Sequence, residues 1–240
     1  TLGSASSAAG IATVTGGTGT NSITIGAGHT AATTVALVAG TDTVAATNYT
    51  GALTVTAADD SITSADTITA GTGSSDTLTI TGGGTALAAG DLASVTAFET
   101  FKVATNAATG ITTHDNNVVA GGTMTVNAAA MTTTVFSFSG AAETDGTFAI
   151  TTLGTGAHIV TLGNGSDTYT STNTAGVNTV VATAGNNTIT TAAGDIITLG
   201  SGTDTVTTGA AADTINSSSA NLNLNDTIAA GAGTDIINMT

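Results

Sequence analysis

The sequence predicts an all-β chain wound into a parallel β-solenoid, and three observations predict it. Between Asp195 and Ile215 a nine-residue beat repeats: Asp195, Asp204 and Asp213 are nine apart, as are Ile197, Val206 and Ile215, and Gly200 and Gly209. The beat returns at Asp226/Ile228 and Asp235/Ile237. A short fixed period that joins Gly-rich turns to single inward aliphatics belongs to stacked coils. Second, proline is absent from all 240 residues, as a ladder of backbone N–H donors requires. Third, triplets such as Thr188-Ile189-Thr190 and Thr205-Val206-Thr207 alternate as half-buried strands do, with β-branched threonine outside.

Taken in order, residues 1–84 open with Gly16-Gly17-Thr18-Gly19-Thr20-Asn21-Ser22-Ile23-Thr24, a nonapeptide turn with Asn21 at its polar position. Gly40-Thr41-Asp42-Thr43-Val44 is a second turn with an inward residue. Asp60, Asp66 and Asp76 each lie two residues before Ile62, Ile68 and Leu78, at spacings of six and ten. Residues 85–160 lose the beat. Leu92, Val95 and Phe98, three apart, predict a short helical turn or a tight loop packed on the solenoid. Phe101–Val103, Thr134–Ser139 and Thr147–Thr151 alternate as strands. All five phenylalanines fall here, which predicts wider, irregular coils filled by rings. In residues 161–240 the beat resumes at Gly163-Asn164-Gly165-Ser166-Asp167 and continues through Asn178/Val180 and Asn187/Ile189. No Pro-rich or uniformly Gly/Ser-rich linker separates the three stretches, so one continuous elongated domain is the simplest arrangement.

Composition narrows the function. The chain has one basic residue, Lys102, against 16 acidic ones, for a formal charge of −15. A single lysine cannot neutralise a run of phosphates, which excludes nucleic acid and anionic membrane surfaces as partners. Most acidic groups must find solvent or a metal ion as counter-charge. No apolar run approaches the ~20 residues needed to cross a bilayer. The chain begins at Thr1, with no signal-peptide pattern, and is expected to be an interior piece of a longer protein. Cysteine is absent, which leaves the compartment open.

Two nine-residue units make one flattened coil of eighteen, so residues eighteen apart should stack at the strand spacing of about 4.8 Å. That puts Asp195 over Asp213 on one edge, and Asp204 near Asn186 and Asn187 on the other. Calcium takes six to eight oxygens from carboxylates and carbonyls, and Gly-rich turns can direct carbonyls inward. The spacing therefore predicts Ca2+ between successive turns. The expected ligands are Asp42, Asp60, Asp66, Asp76, Asp167, Asp195, Asp204, Asp213, Asp226 and Asp235, with Asn21 and Asn187 as neutral oxygen donors. Asn21, Asn178 and Asn187 read more simply as turn formers that accept backbone hydrogen bonds than as strong ligands. Without the ion, stacked like charges should leave the coils unfolded.

Catalysis finds little footing, and the chain is expected not to be an enzyme. His29, His114 and His158 lie in no zinc-ligand spacing. His114 beside Asp115, and Glu143 near Asp145, read more simply as exposed turns, and there is no arginine to stabilise developing charge.

The nonapeptides at 16–24, 163–171, 200–208 and 231–239 resemble those of the repeats-in-toxin (RTX) calcium-binding family, exported by Gram-negative bacteria through type I secretion. Leu92–Val103 looks like the linking element between such repeats in surface-layer proteins and giant adhesins, and the composition is similar to that of Caulobacter-type surface-layer proteins. The resemblance implies a calcium β-roll in which the turn aspartates and flanking carbonyls hold the ion. It implies a secreted, extracellular structural protein that self-assembles as a homo-oligomer, in a surface-layer lattice or filament. The alternative is an adhesin stalk or binding module for a cell-surface polysaccharide, another cell or ice. Ranks of outward threonine would favour ice, but Asn216 and Ala229 interrupt them.

Overall fold

The computed structural model describes residues 1–82, 84–107 and 109–240. The chain is a parallel β-solenoid, its helix limited to short pieces such as Ser4–Ala8 and Ala89–Leu92. No helix among the described residues is long and apolar enough to cross a membrane. One eleven-stranded sheet, the long sheet, takes one strand from every coil, from Thr13–Thr15 to Thr227–Ala229. The opposite side is divided. A four-stranded sheet runs from Asn21–Thr24 to Val95–Thr96, and an eight-stranded sheet from Ala86–Leu87 to Ile236–Met239. All three pair their strands in parallel.

The division has a local cause. After the strand Thr77–Ile80 the chain forms Ala86–Leu87, turns through Ala89–Leu92 and then forms Val95–Thr96. One coil thus visits both smaller sheets: its first short strand begins the eight-stranded sheet and its second ends the four-stranded one. The helical turn Ala89–Leu92 ends where the Leu92, Val95 and Phe98 spacing begins, and Val95 lies in a strand; all three side chains are buried.

Strands of three or four residues cannot stand alone, and stacking makes them a wall. Most contribute a central aliphatic to a continuous interior, Val35, Val55 and Leu78 from the long sheet and Val180, Ile197 and Ile215 from the eight-stranded one, while Phe138 and Tyr169 take that place in two others. The residue two positions earlier shares that inward face. In Asp42–Ala45 the aspartate and Val44 are buried while Thr43 between them is partly exposed.

Coil length differs from the expected eighteen. Along the long sheet Ile189 pairs with Val206, seventeen residues on, whereas Phe101 pairs with Val126, twenty-five on. Asp195 and Asp213, with Ile197 paired to Ile215, keep the spacing of eighteen. Length varies because the ladder constrains only the strand residues, while the corners between them lengthen freely. The longest coils hold the phenylalanines. Phe138 and Phe148 meet edge to face with ring centroids 5.1 Å apart, and Phe136 lies 6.3 Å from Phe138. The strand read at Thr134–Ser139 begins only at Phe136, and that at Thr147–Thr151 extends to Thr152.

Candidate metal centre

In many coils a His, Asn, Asp or Glu stands two before the inward residue and forms a corner column. Its side chain accepts a hydrogen bond from the backbone N–H of the equivalent residue in the preceding coil. Beside the eight-stranded sheet the column reads His158, Asn178, Asp195, Asp213, Asp235. His158 Nδ1 accepts from Phe136 N–H at 3.2 Å and Asn178 Oδ1 from His158 N–H at 3.1 Å. Asp195 Oδ1 accepts from Asn178 N–H at 2.7 Å, Asp213 Oδ1 from Asp195 N–H at 2.7 Å, and Asp235 Oδ1 from Asp213 N–H at 3.1 Å. Beside the long sheet, Asp167, Asn187, Asp204 and Asp226 receive the N–H groups of Phe148, Asp167, Asn187 and Asp204 at 2.7–3.0 Å. Earlier in the chain, Asp76 receives Leu53 N–H and Glu99 receives Asp76 N–H, both at 2.7 Å. On the four-stranded side Asp42 receives Asn21 N–H at 3.2 Å and Asp66 receives Asp42 N–H at 2.6 Å. Asp204 stands over Asn187, and Asp195 over Asp213, as the spacing predicts.

The second carboxylate oxygen divides these aspartates into two groups. In Asp66, Asp76, Asp167 and Asp226 it accepts from the N–H that opens the residue's own turn, at Thr63, Gly71, Gly163 and Asn223. In Asp42, Asp195, Asp204 and Asp213 it is buried with no hydrogen-bond partner. These four are each followed in the next coil by another aspartate: Asp66, Asp213, Asp226 and Asp235. Asp76, over Glu99, is the exception, being satisfied by Gly71. A buried carboxylate oxygen without a donor costs about 1–3 kcal/mol or more, and one stacked on a second carboxylate costs more still.

At Asn21 and Asn187 the opposite holds, whereas Asn178 Nδ2 donates to Ser171 Oγ at 3.3 Å. Asn21 Nδ2 donates to Gly17 O and Gly19 O at 2.8 Å and to Asp42 Oδ1 at 2.6 Å. Asn187 Nδ2 donates to Ala184 O at 3.1 Å, Gly185 O at 3.3 Å and Asp204 Oδ1 at 3.0 Å. Two turn carbonyls and the next coil's carboxylate thus converge on one electropositive nitrogen. The amide NH2 occupies the position of a cation, and the set of hard oxygens around it suits Ca2+ better than a softer metal. Among the described residues no three His, Asp or Glu side chains gather closely enough to hold an ion alone. Turn carbonyls would therefore supply most of the ligands. The residues fit a hard divalent ion at the acid-over-acid steps and need none at the asparagine steps.

Electrostatics follow the same division. Burial raises the Asp195 pKa, against the opposing Thr191 hydroxyl and Asn178 N–H, and the charge of Asp213 adds to the rise. Thr191 Oγ1 is itself buried without a partner within hydrogen-bond distance, so burial dominates. Burial also raises Asp204, with Asn187 opposing and Asp226 adding. Asp167 is pushed up to about 6, chiefly by burial, with the Phe148 and Gly163 N–H groups opposing and Glu143 adding. The only side-chain cation in the chain, Lys102, is exposed on the long sheet.

The tight stacking of turns explains two glycines. Gly185 and Gly202 have φ of +87° and +128°. A Cβ on either would overlap the carbonyl of the glycine one coil earlier, Gly165 and Gly185 respectively. The Gly-rich turns bring backbone oxygens against the next coil, where a cation or an amide can use them.

Other residues of interest lie elsewhere. Asp60 is exposed outside the columns, and its neighbour Asp59 turns inward to accept from Thr85 N–H at 3.0 Å. Asp115 Oδ1 holds Thr144 through its N–H at 3.0 Å and its hydroxyl at 2.9 Å. Glu143 Oε1 accepts from Asp145 N–H and Gly146 N–H at 3.1 and 2.7 Å, and its Oε2 is buried without a partner. Asp115 and Asp145 line a cleft of about 470 Å³. Sequence reasoning missed His158 and Glu99 as column members, although each lies two before an inward residue, Val160 and Phe101.

Comparison with protein-family models, curated proteins and solved structures finds no match to this chain.

Proposed function

We propose that the protein is a calcium-stabilised structural solenoid of the bacterial cell surface, secreted and self-assembling into a surface-layer lattice or filament. The observation that carries this reading is the set of buried carboxylate oxygens without donors at Asp42, Asp195, Asp204 and Asp213, in a chain of charge −15 with one cationic side chain. A divalent ion at those steps supplies the missing positive charge and couples folding to the calcium-rich exterior of the cell. For assembly, exposed apolar residues on the eight-stranded side, Ile159, Ile196 and Val177 among them, offer lateral contacts on an otherwise polar surface. The test is circular dichroism and electron microscopy with calcium and with chelator. Calcium-dependent folding with ordered arrays supports the reading; an unchanged spectrum and no arrays in either condition sinks it.

A second reading, in which the solenoid is a binding module of an RTX-type adhesin, is supported by the outward rank of threonines along the long sheet from Thr13 to Thr227.

A further inference from the structure

The outer surface of the long sheet carries two ranks of side chains flanking the inward residues. The first runs in continuous register from Thr13 to Thr227 and is threonine at ten of eleven positions, interrupted only by Ala149. The second runs from Thr15 to Ala229 and holds seven threonines, interrupted at Ala36, Lys102, Asn127 and Ala229. Asn216, expected to break these ranks, lies on the eight-stranded sheet instead.

Strand propensity does not account for this. The equivalent rank of the eight-stranded sheet, from Ala86 to Ile236, has threonine at two of eight positions, Thr179 and Thr214, and isoleucine at three. Duplication of a fixed repeat does not account for it either. Successive members of the first rank are 17 residues apart at Thr188/Thr205 and 25 apart at Thr100/Thr125. Threonine is therefore kept in spatial register across coils of unequal length.

Charge points the same way. None of the 22 positions is acidic, although the chain has 16 acidic residues. In the second rank Thr56 Oγ1 donates to Val35 O at 3.5 Å, while most threonine hydroxyls that find protein partners lie outside both ranks, as at Thr123 with Thr147 (2.8 Å) and Thr152 with Tyr169 (2.9 Å). Those of the first rank have none among the described residues. Apart from Lys102 in the second rank, the face is thus an uncharged grid of hydroxyl and methyl groups, repeating at about 4.8 Å along the axis and about 6.6 Å across each strand. Such a grid is complementary to an uncharged partner that is itself periodic and hydrogen-bonding, and its rigidity removes the ordering entropy of binding.

We propose that the threonine ranks of the long sheet bind the ordered water lattice of an ice surface. This rests on the binding-module reading and gives that module its face and its partner. Adsorption uses hydroxyls that anchor lattice waters and methyls that set their spacing; water-mediated contacts of this kind are nearly as favourable as direct ones. The rank is long enough for many weak contacts to act together.

The test uses the full chain in calcium, fluorescently labelled, with adsorption to a single ice crystal and thermal hysteresis as readouts. Wild type is expected to coat a defined crystal plane. Thr188→Tyr, in the middle of the first rank, should lower hysteresis at least fivefold, and Thr188→Val should lower it less. Thr179→Tyr, on the eight-stranded sheet, should change it less than twofold. Circular dichroism of each variant confirms the fold. Exclusion of wild type from ice overturns the proposal, as does equal loss in Thr188→Tyr and Thr179→Tyr, or adsorption to crystalline chitin or cellulose but not ice. Repeating the adsorption in chelator separates the two claims. A chain that stays folded and still coats ice refutes the calcium reading alone.

Discussion

The backbone N–H of Asp195 donates to Oδ1 of Asp213 at 2.7 Å, while the Oδ2 atoms of both carboxylates are buried without a donor. Backbone satisfaction and charge satisfaction are therefore separate in these columns. The first is complete in the protein alone, and the second is not. Replacing Asp195 by Asn keeps the Oδ1 acceptor that Asn178 N–H needs and removes one unbalanced charge. In chelator, Asp195→Asn is expected to be more stable than wild type by about 1–3 kcal/mol. Its stabilisation by calcium should be smaller. Urea denaturation with and without calcium measures both.

The converse change is Asn187→Asp. It removes the amide that gathers Ala184 O, Gly185 O and Asp204 Oδ1 and places a carboxylate over Asp204. Metal-free protein should lose about 1–3 kcal/mol. Calcium titration followed by isothermal calorimetry should show an additional binding equivalent.

Gly185→Ala tests the stacking of turns. The positive φ and the overlap with the Gly165 carbonyl should together destabilise the fold by about 2 kcal/mol or more. Gly90→Ala is the control. Gly90 lies in the short helix Ala89–Leu92 with no atom within 4 Å of an added Cβ, so the change should be neutral or stabilising by up to about 1 kcal/mol. Urea midpoints compare the two.

His158 makes one corner sensitive to acid. Its Nδ1 accepts from Phe136 N–H and its Nε2 lies 3.1 Å from Leu153 O, to which it donates in the neutral form. Burial lowers its pKa below the ordinary 6.5, outweighing the Leu153 carbonyl. The folded state then binds fewer protons than the unfolded state in the window below 6.5, so stability from this residue is present above 6.5 and is lost as pH falls. Asp167, raised to about 6, acts in the opposite sense, gaining stability as pH falls through 6. The difference between wild type and His158→Asn isolates the histidine. Melting temperatures from pH 7.5 to 5 should converge or cross as the acid-labile part of wild-type stability disappears.

The fold was legible because burial imposes a period that survives in single residues. Asp195, Asp204, Asp213 and the aliphatics two places on carry it without interruption, and the strands appear there. What the period hid was coil length. Only the short strands and the corner residue are held in register, so the path from Phe101 to Val126 can be eight residues longer than that from Ile189 to Val206. The columns were legible in their aspartates and not in His158 or Glu99, whose residue types suggest other chemistry though their positions obey the same rule. The difference between Asp167, satisfied by Gly163, and Asp204, with an oxygen left over, depends on how each turn aims one N–H. Residue type does not encode that. The ranks of threonine were hidden by the assignment of Asn216, because alternate nonapeptides belong to opposite faces.

The coil that holds both Ala86–Leu87 and Val95–Thr96 has a mechanical consequence. At that level one side of the rod is crossed by an unbroken run of paired backbone and the other by the meeting of two separate runs. Flexure that opens the divided side breaks no ladder between them, whereas flexure the opposite way must stretch the continuous one. The rod is therefore expected to bend most readily there, a little over a third of the way along the chain, with the long sheet as pivot. The Asn117 amide, bonded to Leu92 O and Val95 O at 2.8 and 2.7 Å, is the tie across the divided side.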